Sequence, residues 1–192
     1  MKREASPIFK IVTDPDELEQ VHRLNYATFV DEIPQHAPNP DGRLVDPLLH
    51  RSTCYACSDA GELIGMVVVN GTRPFSLDKK LKDLDRFLPE GCRPCEVRLL
   101  AVNPDRRQGR VFVGLVRCVL EHCDREGYDL AVFSAAASQA RMYRHAGCQA
   151  FGPQLGTAEA PFQGMYVNRA MLSPVTRRLL DLSDDVGREV EQ

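Results

Sequence analysis

The stretch Glu96-Val-Arg-Leu-Leu-Ala-Val-Asn-Pro-Asp-Arg-Arg-Gln-Gly-Arg-Val-Phe-Val-Gly-Leu-Val-Arg-Cys-Val-Leu120 decides the fold. It reads as a strand ending at Val102, a turn opened by Asn103-Pro104, and a long amphipathic helix. The turn carries Arg106, Arg107, Gln108, Gly109 and Arg110. A chain that restarts as a helix leaves its first-turn N–H groups without intrahelical partners. With the positive end of the helix dipole and the arginines, those donors form an anion site suited to a pyrophosphate. Cations at a helix N-terminus oppose the dipole, so this cluster points to an anionic partner rather than to a solvated helix start. A phosphate-bearing carrier is the expected ligand.

Before this unit, Ile8 to Val12 reads as a strand. Asp14 suits an N-cap, Pro15 the first helical position, and Glu17 follows at capping-box spacing. The helix fades near Pro34. Gln35 to Leu48 is rich in Pro, Asn, Asp and Gly and is expected to be a mobile loop. Thr53 to Ser58, a polar turn over Asp59 to Glu62, and Leu63 to Val69 read as a hairpin. Ser76 to Leu88 places Leu77, Leu81, Leu84, Phe87 and Leu88 at helical spacing, a one-faced helix. After the opening unit the helix runs from Gly109 to Glu126 and stops at Gly127. A buried strand is expected over Leu130 to Ser134, a helix over Ser138 to His145, and closing strands over Cys148 to Phe151 and Met165 to Val167. The residues between those last two read as loop, and Ser173 to Val190 as a charged terminal helix. The order gives an α/β (α+β) domain over residues 1–170: a mixed central sheet of six to seven strands flanked by helices. Residues 171–192 belong to the same domain or form a tail.

With 43% hydrophobic and 27% charged residues over 192 positions, the chain is of ordinary globular composition. A net charge of −3 argues against general nucleic-acid binding. No apolar run approaches the roughly 20 residues that span a bilayer. Met1 to Pro7 leads into no long apolar region, so a cytoplasmic protein is expected.

Seven cysteines suggest reduced thiols rather than a disulfide framework. Cys54-Tyr-Ala-Cys57 and Cys92-Arg-Pro-Cys95 have the spacing of zinc ligands. In the inferred sheet, however, they begin strands two spacings apart, roughly 10 Å, so incidental thiols and no metal are expected. His22, His36, His50, His122 and His145 lack ligand spacing. His36 reads as a solvated loop histidine, with a substrate-side role as the alternative.

Arg106 to Val111 resembles the acyl-carrier motif of the GNAT N-acyltransferase superfamily, Arg/Gln-x-x-Gly-x-Gly/Ala between a strand and a helix. Arg106 and Gly109 match, and Val111 replaces the usual small residue. Ser138 to Cys148 is similar to a second motif of that superfamily: Ala140, Tyr143 and Gly147 match, while Ser138 and Cys148 depart. The segment from Tyr26 to His36, the Glu96-Val97-Arg98 strand and the Arg73 to Asp78 insert resemble a narrower group, the N-acyl amino acid synthases. More distantly they are similar to the acyl-homoserine lactone synthases, in which the strand Glu and Arg stand one residue further apart and a tryptophan is present that this chain lacks.

The resemblance implies a GNAT-type sheet and acyl transfer from a phosphopantetheine thioester, on acyl carrier protein or CoA, to the amino group of an amino acid or similar amine. No tightly bound cofactor is implied. Arg106, Arg107, Gln108, Gly109, Arg110 and Val111 would cradle the pyrophosphate, with the bulk of Val111 tilting the expectation toward a carrier protein. Backbone N–H groups of the splayed strand, those of Leu100 and Val102 included, would meet the thioester oxygen. Tyr143 would protonate the departing thiolate. Glu96 is the candidate base, directly or through water, with Arg98 tuning it or holding a substrate carboxylate. Strand alternation also allows a structural ion pair between them. No Ser-His or Cys-His pairing suggests an acyl-enzyme, so direct attack by the amine is expected. Phe29, Ile33, Phe75, Leu77 and Leu81 line either an acyl tunnel or the core. An acetyl-CoA-dependent N-acetyltransferase and a non-catalytic GNAT-fold accessory domain are the rival readings.

Overall fold

A computed structural model describes residues 7–107 and 109–182. Seven strands form one sheet in the order β1-β2-β3-β4-β5-β7-β6: β1 Ile8–Ile11, β2 Thr53–Asp59, β3 Glu62–Asn70, β4 Pro94–Val102, β5 Leu130–Ala136, β6 Gln149–Gly156 and β7 Pro161–Val167. All neighbours are antiparallel except β4 and β5. That parallel pair requires a crossover, supplied by α2, Arg110–Glu126. The other helices are α1 (Pro15–Tyr26), α3 (Ala140–Ala146) and α4 (Pro174–Leu179).

Helix α1 begins as its sequence dictates: the Asp14 carboxylate accepts from the N–H groups of Asp16 at 2.8 Å and Glu17 at 3.4 Å. It passes into a π-helical turn, Ala27–Glu32. Helix α2 ends where Gly127 takes φ +72°. Its packing on the sheet explains one glycine. A Cβ on Gly65 of β3 would stand 2.6 Å from Val111 Cγ1, so the side chain is sacrificed to let the helix approach. Leu115 is fully buried in the same cluster, with Tyr55, Val67 and Val69. Burial of such a side chain stabilises the fold by roughly 1.5–3 kcal/mol.

Two features of β4 make the site. First, its pairing with β5 covers only Pro94 to Glu96 against Leu130 to Val132. Beyond that the strands diverge, which is the expected splay. Second, Val68 pairs with Arg98 but Met66 with Ala101, so Leu99 and Leu100 stand opposite the single Val67. In this bulge Leu99 adopts φ +51°, a left-handed conformation uncommon for a branched side chain. As a result Leu99 and Ala101 pack with α1, while Val97, Leu100 and Val102 pack with α2.

Three expectations are corrected. The helix over Ser76 to Leu88 is two 3₁₀ turns, Leu77–Lys79 and Leu84–Phe87, separated by Asp83 at φ +56°. Leu77, Leu81, Leu84 and Leu88 are buried as the periodicity requires while Phe87 stays 37% exposed, and the N–H groups of Ser76 and Leu77 donate to the Glu96 carboxylate. The loop over 152–163 is largely strand: β6 and β7 form a hairpin with a register shift between Phe151 and Gln154 that accommodates Gly152-Pro153. Gln35 to Leu48 lacks regular structure yet is tied down. The Asn25 amide donates to the Leu44 carbonyl at 2.7 Å, and the Tyr26 hydroxyl meets Asn39. Of the terminal helix, Pro174–Leu179 is helical; residues 183–192 lie outside the described residues.

His122, 5% exposed, contacts the Tyr55 hydroxyl at 3.0 Å through Nδ1, with Arg125 at 3.1 Å. Burial, and then Arg125, hold its pKa below the ordinary imidazole value; burial does the same for His22. Folded His122 therefore binds protons less readily than unfolded, so its stabilising contribution is complete above about pH 6.5 and is lost as pH falls through the lowered value. Thermal melts should show Tm dropping below that pH. The drop should be smaller in His122→Gln; an equal drop would place the acid sensitivity elsewhere.

Candidate active site

The splay opens a cavity of about 1070 Å³ lined from both faces of the sheet. Its α1-side wall includes Thr28, Phe29, His36, Asp46, Ser76, Lys80, Glu96 and Arg98. Its α2-side wall is mostly apolar and includes Val97, Leu100, Phe112, Val116, Val119, Phe133 and Tyr143. The cavity thus joins a charged chamber to an apolar one through the gap in the sheet. Phe29 and Ile33 line it as the tunnel reading has it; Phe75, Leu77 and Leu81 lie instead in a separate core cluster.

The charged chamber is built on β4. Arg98 forks onto Asp46 with bonds of 2.8 and 2.9 Å, and its Nε lies 3.5 Å from Glu96 Oε2. Glu96, 1% exposed, accepts from Ser76 N–H (2.8 Å), Ser76 Oγ–H (2.6 Å) and Leu77 N–H (3.0 Å). Both carboxylates are buried, as charges can be only when paired and hydrogen-bonded. The Glu96–Arg98 pair that alternation allows is present. The Glu96 carboxylate is thus engaged by three donors and by Arg98. Asp46 was not legible as a site residue: its partner lies 52 positions away. The only signal is a lone acid among Leu44, Val45 and Leu48.

Lys80 stands at the mouth of this chamber, its ammonium 4.4 Å from the Phe162 ring centroid. Burial lowers its pKa, against the pull of Glu96. His36 is exposed on its loop, as the solvated reading has it, and borders the same space. Burial lowers its pKa first, with Lys80 and Arg98 acting in the same direction and Asp46 opposing.

The apolar chamber ends at α2. Gly109 and Phe112 line the cavity at the helix start. Of the three arginines expected there, Arg106 lies 3.3 Å from Asp59 and Arg107 is forked onto Glu32, with its Nε donating to the Val102 carbonyl at 3.1 Å. Glu32 is held below the usual carboxylate range by the Arg107 hydrogen bonds. Arg110 is exposed and has no ion pair among the described residues. Gln108 lies outside the described residues. Val111 is turned inward, 5% exposed, against Gly65 and Leu115. Its bulk is taken up against β3. Leu100 lines the gap from the α2 side and Val102 closes β4 beside it.

Tyr143, on α3, lines the cavity with its ring edge toward Phe133, the centroids 5.1 Å apart. Burial pushes its hydroxyl up to about 12, so the group carries its proton at neutral pH. Gly147, φ +106°, ends α3, and a Cβ there would meet the Met171 carbonyl oxygen at 2.1 Å.

Among the described residues no group of three or more His, Cys, Asp or Glu converges as a metal site requires, and all seven thiols are free. Cys95 and Cys123 touch, sulfur to sulfur at 3.5 Å, in the core under α2. No helix among the described residues is long and apolar enough to cross a membrane.

A splayed β4–β5 pair over a helix start, closed by Tyr143, is the architecture of a GNAT-type fold, and the chain is an acyltransferase. The family described as N-acyl amino acid synthase FeeM matches residues 20–168, and the chain belongs to that family. It is similar to the structure of FeeM, an N-acyl amino acid synthase from uncultured soil microbes: 15% identity, 90% of this chain and 98% of that one, TM-score 0.72. It is also similar to BjaI, a CoA-dependent acyl-homoserine lactone synthase solved with SAM and isopentyl-CoA: 21% identity, 92% and 87% coverage, TM-score 0.72. The AHL synthase LasI gives 16% identity, 98% and 99% coverage, TM-score 0.72. A search of curated protein sequences gave no significant match.

Proposed function

We propose that this protein moves a medium or long acyl chain from a phosphopantetheine thioester to the amino group of an amino acid or similar amine, by direct attack. The observation that carries the reading is the two-chambered cavity of about 1070 Å³ crossing the sheet at the splay. An acetyl group needs almost none of that space, whereas apolar pockets of this order suit extended hydrophobic ligands. The thioester would lie in the gap. Its phosphate would reach the first-turn N–H groups of α2, with Gly109 and Arg110 beside it and Arg107 on the cavity wall. Backbone N–H groups at Leu100 and Val102 would meet the carbonyl oxygen, and Tyr143 would give its proton to the thiolate. The amine would enter the charged chamber, where Arg98, held by Asp46 and Glu96, is placed to orient a carboxylate.

The test is thiol release and product mass with lauroyl-CoA, a lauroyl carrier protein and acetyl-CoA, each with a mixture of protein amino acids. A lauroyl amide is expected, and the better of the two lauroyl donors identifies the carrier. A higher kcat/KM with acetyl-CoA than with either would overturn the long-chain reading.

A further inference from the structure

An attacking amine arrives as an ammonium and must lose a proton before it can attack. Neither carboxylate of the charged chamber is free to take one. Asp46 is forked onto Arg98, and its Oδ1 also accepts from Leu48 N–H at 3.3 Å. Glu96 carries three hydrogen bonds and faces Arg98. Glu32, further along the wall, is forked onto Arg107. Burial lowers the Lys80 pKa, but its ammonium is committed to the Phe162 ring at 4.4 Å, and that contact and Glu96 both favour the charged form. Tyr143, at about 12, holds its proton. The remaining base on that side of the cavity is the His36 imidazole, and no hydrogen bond or ion pair engages it among the described residues.

We infer that His36 is the group that deprotonates the incoming amine. The inference rests on the acyl-transfer reading and names a residue for which sequence favoured a solvated role. The loop carrying His36 is tied on either side of it, by Gln35 N–H to the Phe29 carbonyl at 3.2 Å and by Asn39 N–H to the Tyr26 hydroxyl at 3.3 Å, and at its far end by the Asp46–Arg98 fork. The charged groups facing His36 are Lys80 after the first 3₁₀ turn, Arg98 on β4 and Asp46 in the loop. Two cations against one anion favour neutral imidazole, the form that can accept a proton.

The protons balance. His36 takes the first from the ammonium and passes it to solvent. The neutral nitrogen attacks the thioester carbon, forming C–N as C–S breaks. The nitrogen then loses a second proton, which passes through water to the Tyr143 oxygen and replaces the proton that Tyr143 gave to the thiolate.

The test is the pH profile of kcat/KM with lauroyl-CoA or the lauroyl carrier protein and the amino-acid mixture. Wild type should rise through an acid limb below the ordinary imidazole pKa and then level. His36→Gln should lose that limb and fall about a hundredfold at neutral pH, recovering toward wild type only where the amine deprotonates unaided. Lys80→Met removes a nearby cation and should move the limb to higher pH. An unchanged limb in His36→Gln, with amide still formed, would overturn the base assignment alone. Absence of amide from wild type with every donor would overturn acyl transfer, and the base with it.

Discussion

Replacing Arg98 with Ala should destabilise the protein by about 3–5 kcal/mol and abolish transfer, because it strands two buried carboxylates. The side chains of Asp46 and Glu96 are 4% and 2% exposed, and Arg98 is the only cation within ion-pairing distance of either among the described residues. Removing it exchanges a compensated triad for two uncompensated charges in a low-dielectric chamber. The loop over Gln35 to Leu48 would lose its anchor on β4, so protease cutting there should precede global unfolding. Arg98→Lys should recover only part of the loss, since an ammonium cannot reproduce the fork. Denaturant melts and limited proteolysis check this. A change in stability under about 1 kcal/mol would show that solvent reaches the triad and that its burial carries little weight.

Tyr143→Phe should act on the chemical step. Removing a positioned general acid costs on the order of 10² to 10⁴ in rate, so kcat should fall at least a hundredfold while KM and Tm barely move. The ring, with its edge on Phe133, is retained in the variant. Because burial lifts the hydroxyl to about 12, wild-type kcat should also show no alkaline decline up to about pH 10. A kcat within a few fold of wild type would remove Tyr143 from the mechanism and leave solvent to protonate the thiolate.

The elements that were legible are those whose signals are local. Asp14-Pro15 and Gly127 each fix a helix end through backbone geometry within a few residues, and Asn103-Pro104 stops β4; the structure places these ends there. The apolar spacing from Leu77 to Leu88 correctly marked the four leucines as buried, though Phe87 is exposed. It missed the break into two 3₁₀ turns because the left-handed Asp83 that separates them leaves no mark on the apolar spacing. Gly152-Pro153 reads as loop in isolation; a bulge opposite β7 lets the same residues sit in a strand.

The site divides along the same line. Glu96, Arg98, Gly109 and Tyr143 occur in contiguous motifs and line one cavity. Asp46 and the setting of His36 depend on where an irregular loop lands, and nothing periodic encodes that. Val111 shows the converse. A substitution within a motif suggested an obstruction, yet the helix turns that side chain toward Gly65.

The gap between β4 and β5 has a consequence for the order of events. The sheet is a partition with an aperture, and the two chambers meet there from opposite sides. A donor lodged on the α2 side leaves the α1 side clear, so neither reactant must depart before the other arrives. Initial-rate plots should therefore intersect rather than run parallel. The spent thiol and the finished amide would retreat through separate doors.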